Sequence, residues 1–299
     1  MSEIHKVPAS AGAEWLIAGF SLLKRAPLGL GGLGLIWGVV VSVVMSLSLL
    51  VPALGTVLQL LVVVAGPLFM GGLLWAVREV DQGRAARPAH LLEGVQDGRA
   101  PHLLVTLLPQ VVAGLILGAL LLLLLGTTGL HQLGEVMVRM NEISQSGQQP
   151  DPAVIEALVA ELPAGRILLW LLLCVVTLAA ISLAMFVMPP QVMFQRMGGW
   201  RALRHSLNAC LHNLPAMLVF LVLAVIAMMA IYFAVMLVAM VFTLVGGQVA
   251  GMWIAQLLMT AVTMPVFAGA VYTAWKQMVG PAAAAVPGGD TPRDGVIAA

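Results

Sequence analysis

Six runs of apolar residues, none containing Asp, Glu, Lys, Arg or His, dominate this chain: 28–51, 53–77, 103–125, 167–188, 215–245 and 249–275. A helix needs about 20 such residues to cross a hydrocarbon core ~30 Å thick, and every run has that length. Only 9% of the 299 residues are charged and 61% are hydrophobic, whereas soluble domains devote roughly a quarter of their residues to charge. A core shielded from water cannot absorb that excess, so lipid is the solvent. The expected fold is all-α: a polytopic membrane bundle of six transmembrane helices. A net charge of +1 without a long basic run leaves no electrostatic footprint for nucleic acid.

Orientation follows from Lys and Arg, which cytoplasmic loops retain. With six spans and the N-terminus inside, 12 of the 14 basic residues fall on the cytoplasmic side, and only Arg139 and Arg166 lie outside. Both termini are therefore expected in the cytoplasm. The first 27 residues, with Glu3, His5, Lys6, Glu14, Lys24 and Arg25, read as no removable signal peptide. Cys174 lies in an apolar run and Cys210 on a basic segment, so both are expected to be free thiols. Residues 1–9 read as an N-terminal tail, 10–279 as the membrane domain, and 280–299, rich in Ala, Gly and Pro, as a disordered tail.

The outer loop, 126–166, reads as a helical hairpin. Leu133, Val136, Met137, Met140 and Ile143 recur at helical spacing, and Asp151-Pro152 opens a second stretch. Packing over the bundle is the expected role, with a docking surface for an outer partner as the alternative.

A common plan precedes each outward span: an amphipathic stretch, then Pro27, Pro101 or Pro215, then the apolar run. Proline suits the first turn of a helix, where its missing N–H costs nothing. In 199–214, Trp200, Leu203, Leu207, Cys210, Leu211 and Leu214 share one face, opposite Arg201, Arg204, His205, Asn208 and His212. Such a helix should lie in the membrane interface with its basic face toward anionic inner-leaflet lipids. Trp15 and Arg25 are placed similarly in the first stretch; the middle one, His90 to Arg99, is shorter. Among the returning spans, Pro67-Leu-Phe69-Met-Gly71 matches Pro265-Val-Phe267-Ala-Gly269, with Arg78 and Lys276 each eleven positions after the proline. Three hairpin units are therefore expected, about 10–78, 88–190 and 199–276, as parallel repeats.

Residues 12–27, the stretch Gly66-Pro67-Leu-Phe-Met-Gly71-Gly72 leading through Gly83 to Leu91-Leu-Glu-Gly94, and Trp200-Arg-Ala-Leu-Arg-His-Ser206-Leu-Asn-Ala-Cys-Leu-His-Asn213 resemble the YciC-like inner-membrane proteins of bacteria. The layout is also similar to the membrane domain attached to some glycerophosphodiester phosphodiesterases, although no phosphodiesterase domain accompanies it here. The resemblance implies a helical fold and a bacterial inner-membrane location.

Chemistry is sparse. Ion-driven carriers usually keep ionisable groups at membrane depth, and the six runs have none. Their glutamines, serines and threonines read as interhelical glue. A cavity around Pro67, Gln110, Gln256 and Pro265 is the sharper alternative. Gly34/Gly38, Gly114/Gly118 and Gly247/Gly251 offer close helix approach. His90, Glu93 and Asp97 could share a helix face but read as a charge-balanced cytoplasmic surface, and His205 and His212 flank Cys210 from the opposite face, which argues against zinc. No phosphate loop, dinucleotide fingerprint, HExxH or GxSxG occurs. The expected function is a non-catalytic membrane scaffold, assembly partner or envelope-integrity factor, with no metal or cofactor. A facilitative carrier of a lipid or other apolar molecule is the alternative.

Overall fold

The computed structural model describes residues 4–145, 155–156, 160 and 162–280. The expected tail at 280–299 and the turn and second half of the outer hairpin fall almost wholly outside these residues. Among the described residues every regular element is helical: α1 (Ala11–Arg25), α2 (Pro27–Leu50), α3 (Pro52–Asp81), α4 (Ala100–Leu104), α5 (Leu107–Gln145), α6 (Ala164–Met185), α7 (Met188–Gln195), α8 (Gly199–His212) and α9 (Leu214–Met278). Two 3-10 turns, Pro88–Gly94 and Gln96–Gly98, precede α4. Pro27, Pro101 and Pro215 each sit in the opening residues of a helix, where no intrahelical donor is required.

Five helices are long and apolar enough to cross a membrane. In a helix the backbone satisfies its own polar groups, which is what hydrocarbon demands. The 65 residues of α9 would span about 98 Å if straight, far more than any bilayer core. The helix is broken at Gly247, whose φ of 81° and ψ of 172° are readily adopted only by glycine. Beyond the break the chain folds back. A Cβ built on Gly251 would overlap Thr243 Oγ1 and lie 3.1 Å from the Ala239 carbonyl oxygen, whereas residues eight and twelve apart in a straight helix are separated by roughly 12 and 18 Å.

A second reversal joins α2 to α3. Gly55 is pressed against Ser48, and Gln59 Nε2 donates to Ser48 Oγ at 3.1 Å. In α5 the helical path breaks at Gly126, with φ 67°. The part before it packs on α6, where Trp170 Nε1 donates to the Leu117 carbonyl at 2.9 Å and Arg166 to the Leu124 carbonyl at 3.3 Å. The part after it runs as helix to Gln145.

Contacts divide the chain into two compact units. One comprises Met1–Gly38, Val77–Ala86 and His212–Ala299. There α1 packs along α9, burying Ala11, Trp15, Gly19 and Leu22. Asn213 clamps the segment before α1, accepting from Val7 N at 2.8 Å and donating to the His5 carbonyl at 3.1 Å. Within the stretch that reads as a tail, His5 and Val7 are thus held against the start of α9. The other unit comprises Val39–Ala76 and Arg87–Leu211, with a core of Leu103, Met188, Val192, Met193, Ala202 and Leu203.

Candidate membrane-interface site

A single kind of joint recurs between an amphipathic segment and the backbone of a long apolar helix. In the first unit, a Cβ on Gly19 of α1 would overlap the Val266 carbonyl oxygen and lie 3.2 Å from Ala270 N. In the second, a Cβ on Gly94 would overlap the Leu68 carbonyl oxygen and lie 3.3 Å from Gly72 N of α3. Elsewhere in that unit, Ser206 of α8 donates its hydroxyl to the Leu183 carbonyl at 3.3 Å and accepts from Val187 N at 3.1 Å. Each time a small residue is pressed against a carbonyl and the N–H four positions on. Pro67 and Pro265, paired in the sequence, immediately precede the first contact residue of α3 and α9.

Serine replaces glycine where the helix is discontinuous. The backbone leaves α6 at Met185 and restarts at Met188, and Pro189 and Pro190 at the start of α7 bring no N–H. The Ser206 hydroxyl bridges the two groups, Leu183 O and Val187 N, that an unbroken helix would have joined directly. Helix spacing also recurs on the amphipathic side. Gly12 lies 2.6 Å, as a built Cβ, from Phe220 N, and Gly199 lies 2.6 Å from the His102 carbonyl oxygen; each is seven residues before its joint residue.

These joints dictate which face of α8 is buried. Close approach to backbone admits only small side chains, so Gly199, Ala202, Ser206, Ala209 and Cys210 turn inward with Leu203. The buried arc is therefore rotated roughly a quarter turn from the apolar face drawn from the sequence, at 100° per residue. Leu203 and Cys210 enter the protein, as that face requires, whereas Trp200 and Leu211 remain outside, 55% and 52% exposed. Arg201, Arg204, Asn208 and His212 complete the exposed arc. The Arg204 guanidinium sits over the Trp200 ring, 5.4 Å from its centroid.

The other expected interface residues separate. Arg25 is exposed at the end of α1. Trp15 is fully buried, its ring beside Phe220 and its Nε1 donating to Gln277 Oε1 at 2.7 Å, so it has no face to offer a membrane; Ile17 and Phe20 are the exposed apolar residues of α1. His205 turns toward α7, its Nδ1 3.1 Å from Nε2 of the fully buried Gln191. His212 is exposed. Of the four residues expected at a cavity, Pro67 and Gln110 belong to one unit and Gln256 and Pro265 to the other. Gln110 and Gln256 are exposed, Pro67 is half-buried, and Pro265 is buried, its Cδ 3.2 Å from a Cβ built on Gly34.

Charge on the middle segment is spent internally. Arg99 is only 6% exposed. Its guanidinium stacks on Trp75 at 4.9 Å and pairs with Glu93 at 3.3 Å and Asp97 at 3.0 Å, while His90 Nδ1 accepts from Arg87 N. This is a structural ion cluster. Both cysteines are free thiols; burial pushes the Cys210 thiol up to about 12, which removes the thiolate needed for reaction. Among the described residues no three metal-ligating side chains converge. Sequence reasoning missed Ser206 and Gln191. The matched spacing of Gly12 to Gly19 and Gly199 to Ser206 was the signal for the first; nothing local marks the second.

No family model, curated protein or solved structure matches the chain.

Proposed function

We propose that the chain is a non-catalytic integral protein of a bacterial inner membrane, with six transmembrane helices in three hairpins and both termini cytoplasmic. It acts as a scaffold or assembly partner in the envelope. The break of α9 at Gly247 supports counting it as two spans, and the location rests on the resemblance to YciC-like proteins read from the sequence. One observation carries the reading: the small residues of the amphipathic segments are spent on close joints to helix backbone. The apolar helix faces are left outward. A protein built this way presents a fixed apolar surface to lipid and neighbouring helices rather than a polar reaction centre.

The test is to extract the tagged full chain in native-lipid nanodiscs and identify by mass spectrometry whatever survives a mild wash. A stoichiometric protein partner is expected. Retention of one enriched apolar metabolite without any partner would overturn the scaffold in favour of a carrier.

A further inference from the structure

Resting on that membrane reading, we infer that the exposed face of α8 holds a net-anionic glycerophospholipid, with its phosphate at Arg201 and Arg204 and its chains along Trp200 and Leu211. Going round the exposed arc, the side chains pass from apolar (Trp200, Leu211) to cationic (Arg204, Arg201) within roughly 100°. That is the order in which a helix lying at a leaflet surface meets acyl chains and then headgroups.

Charge complementarity selects the occupant. From Arg196 to Leu214 the chain has no Asp or Glu, and among the described residues neither Arg201 nor Arg204 forms an ion pair. Arg196, by contrast, reaches Asp97 at 3.7 Å, and Arg99 is consumed by two carboxylates. A zwitterionic lipid would bring an ammonium group to a surface with no acid to receive it. A lipid whose only ionised group is its phosphate meets two guanidinium forks suited to phosphate oxygens. The Trp200 ring fixes the Arg204 end of the site and, more than half exposed itself, favours a lipid over free phosphate, since an aromatic ring is stable at the headgroup boundary.

Full-length protein in phosphatidylcholine nanodiscs, doped with spin-labelled phosphatidylglycerol or spin-labelled phosphatidylcholine, reports the motionally restricted lipid of each kind. Wild type should prefer phosphatidylglycerol, and the preference should fall as salt rises. Arg201→Gln with Arg204→Gln should cut it by up to roughly fivefold per arginine. Arg139→Gln, in the outer helix, should leave it unchanged. An R201Q/R204Q protein that elutes and melts like wild type yet keeps the full preference would overturn the assignment. Displacement of the labelled lipid by inorganic phosphate would overturn it too, marking a free-phosphate site. The scaffold reading fails separately, through a retained metabolite and absent partner whatever residues stand at 201 and 204.

Discussion

Ser206 Oγ stands between Val187 N, at 3.1 Å, and the Leu183 carbonyl oxygen, at 3.3 Å, and so completes a helical hydrogen bond that the backbone leaves open. Ser206→Ala removes both interactions and buries an orphan N–H and C=O. Each buried orphan costs about 1–3 kcal/mol. We expect a clear fall in melting temperature and, by hydrogen exchange, lost protection at Val187 with Leu22 and its neighbours unaffected; unchanged exchange at Val187 would mean that the bridge is not formed.

Gly19 and Gly94 occupy the corresponding joints with no room for a methyl group, whereas nothing lies within 4 Å of a Cβ built on Gly114 or Gly118. Gly19→Ala and Gly94→Ala should therefore destabilise by about 1–3 kcal/mol through overpacking. Gly114→Ala and Gly118→Ala should stay within about 0.5 kcal/mol of wild type. Thermal denaturation followed by size-exclusion of the soluble fraction separates the two groups, and equal losses in all four would refute the joints.

The same contrast explains what could be read in the chain. The apolar runs, the prolines that open helices and the Pro67/Pro265 correspondence are local signals: five helices are long and apolar enough to cross a membrane, Pro27, Pro101 and Pro215 stand in the first two residues of helices, and Pro67 and Pro265 each precede a joint. The inward face of α8 was misjudged because hydrophobicity ranks Trp200 and Leu211 above Ala202 and Ser206. Docking onto helix backbone reverses that order, since size decides there. Arg99 was visible only as a surface charge, because the 3-10 geometry that folds Glu93 and Asp97 around it has no periodic signature. The four residues expected at a cavity divide two and two between the units, a division set by tertiary contacts that has no local signature in the sequence.

Arg99→Ala removes the cation shared by Glu93 and Asp97 and the ring contact to Trp75. A loss of about 2 kcal/mol is expected, from charged hydrogen bonds worth about 1.5–3 kcal/mol. Arg99→Lys should recover only part of it, since an ammonium group cannot fork or stack in the same way. Full recovery by lysine would show that charge alone matters.

Cys210 sets an alkaline limit. Its folded thiol holds the proton to about 12, against an ordinary 9.0. Between those values the unfolded chain has lost a proton that the folded chain keeps, so stability falls as pH rises, by about 1.4 kcal/mol per pH unit at most. Below pH 9 the group contributes no slope. Denaturation measured from pH 8 to 11 should show this decline in wild type and a shallower one in Cys210→Ala. Parallel profiles would contradict it.

The six-span arrangement is tested most directly by reporter fusions after Gly147 and after Met278. Alkaline phosphatase should be active at Gly147 and silent at Met278, with a cytoplasmic reporter giving the reverse. Cytoplasmic activity at Gly147, or phosphatase activity at Met278, would contradict the account.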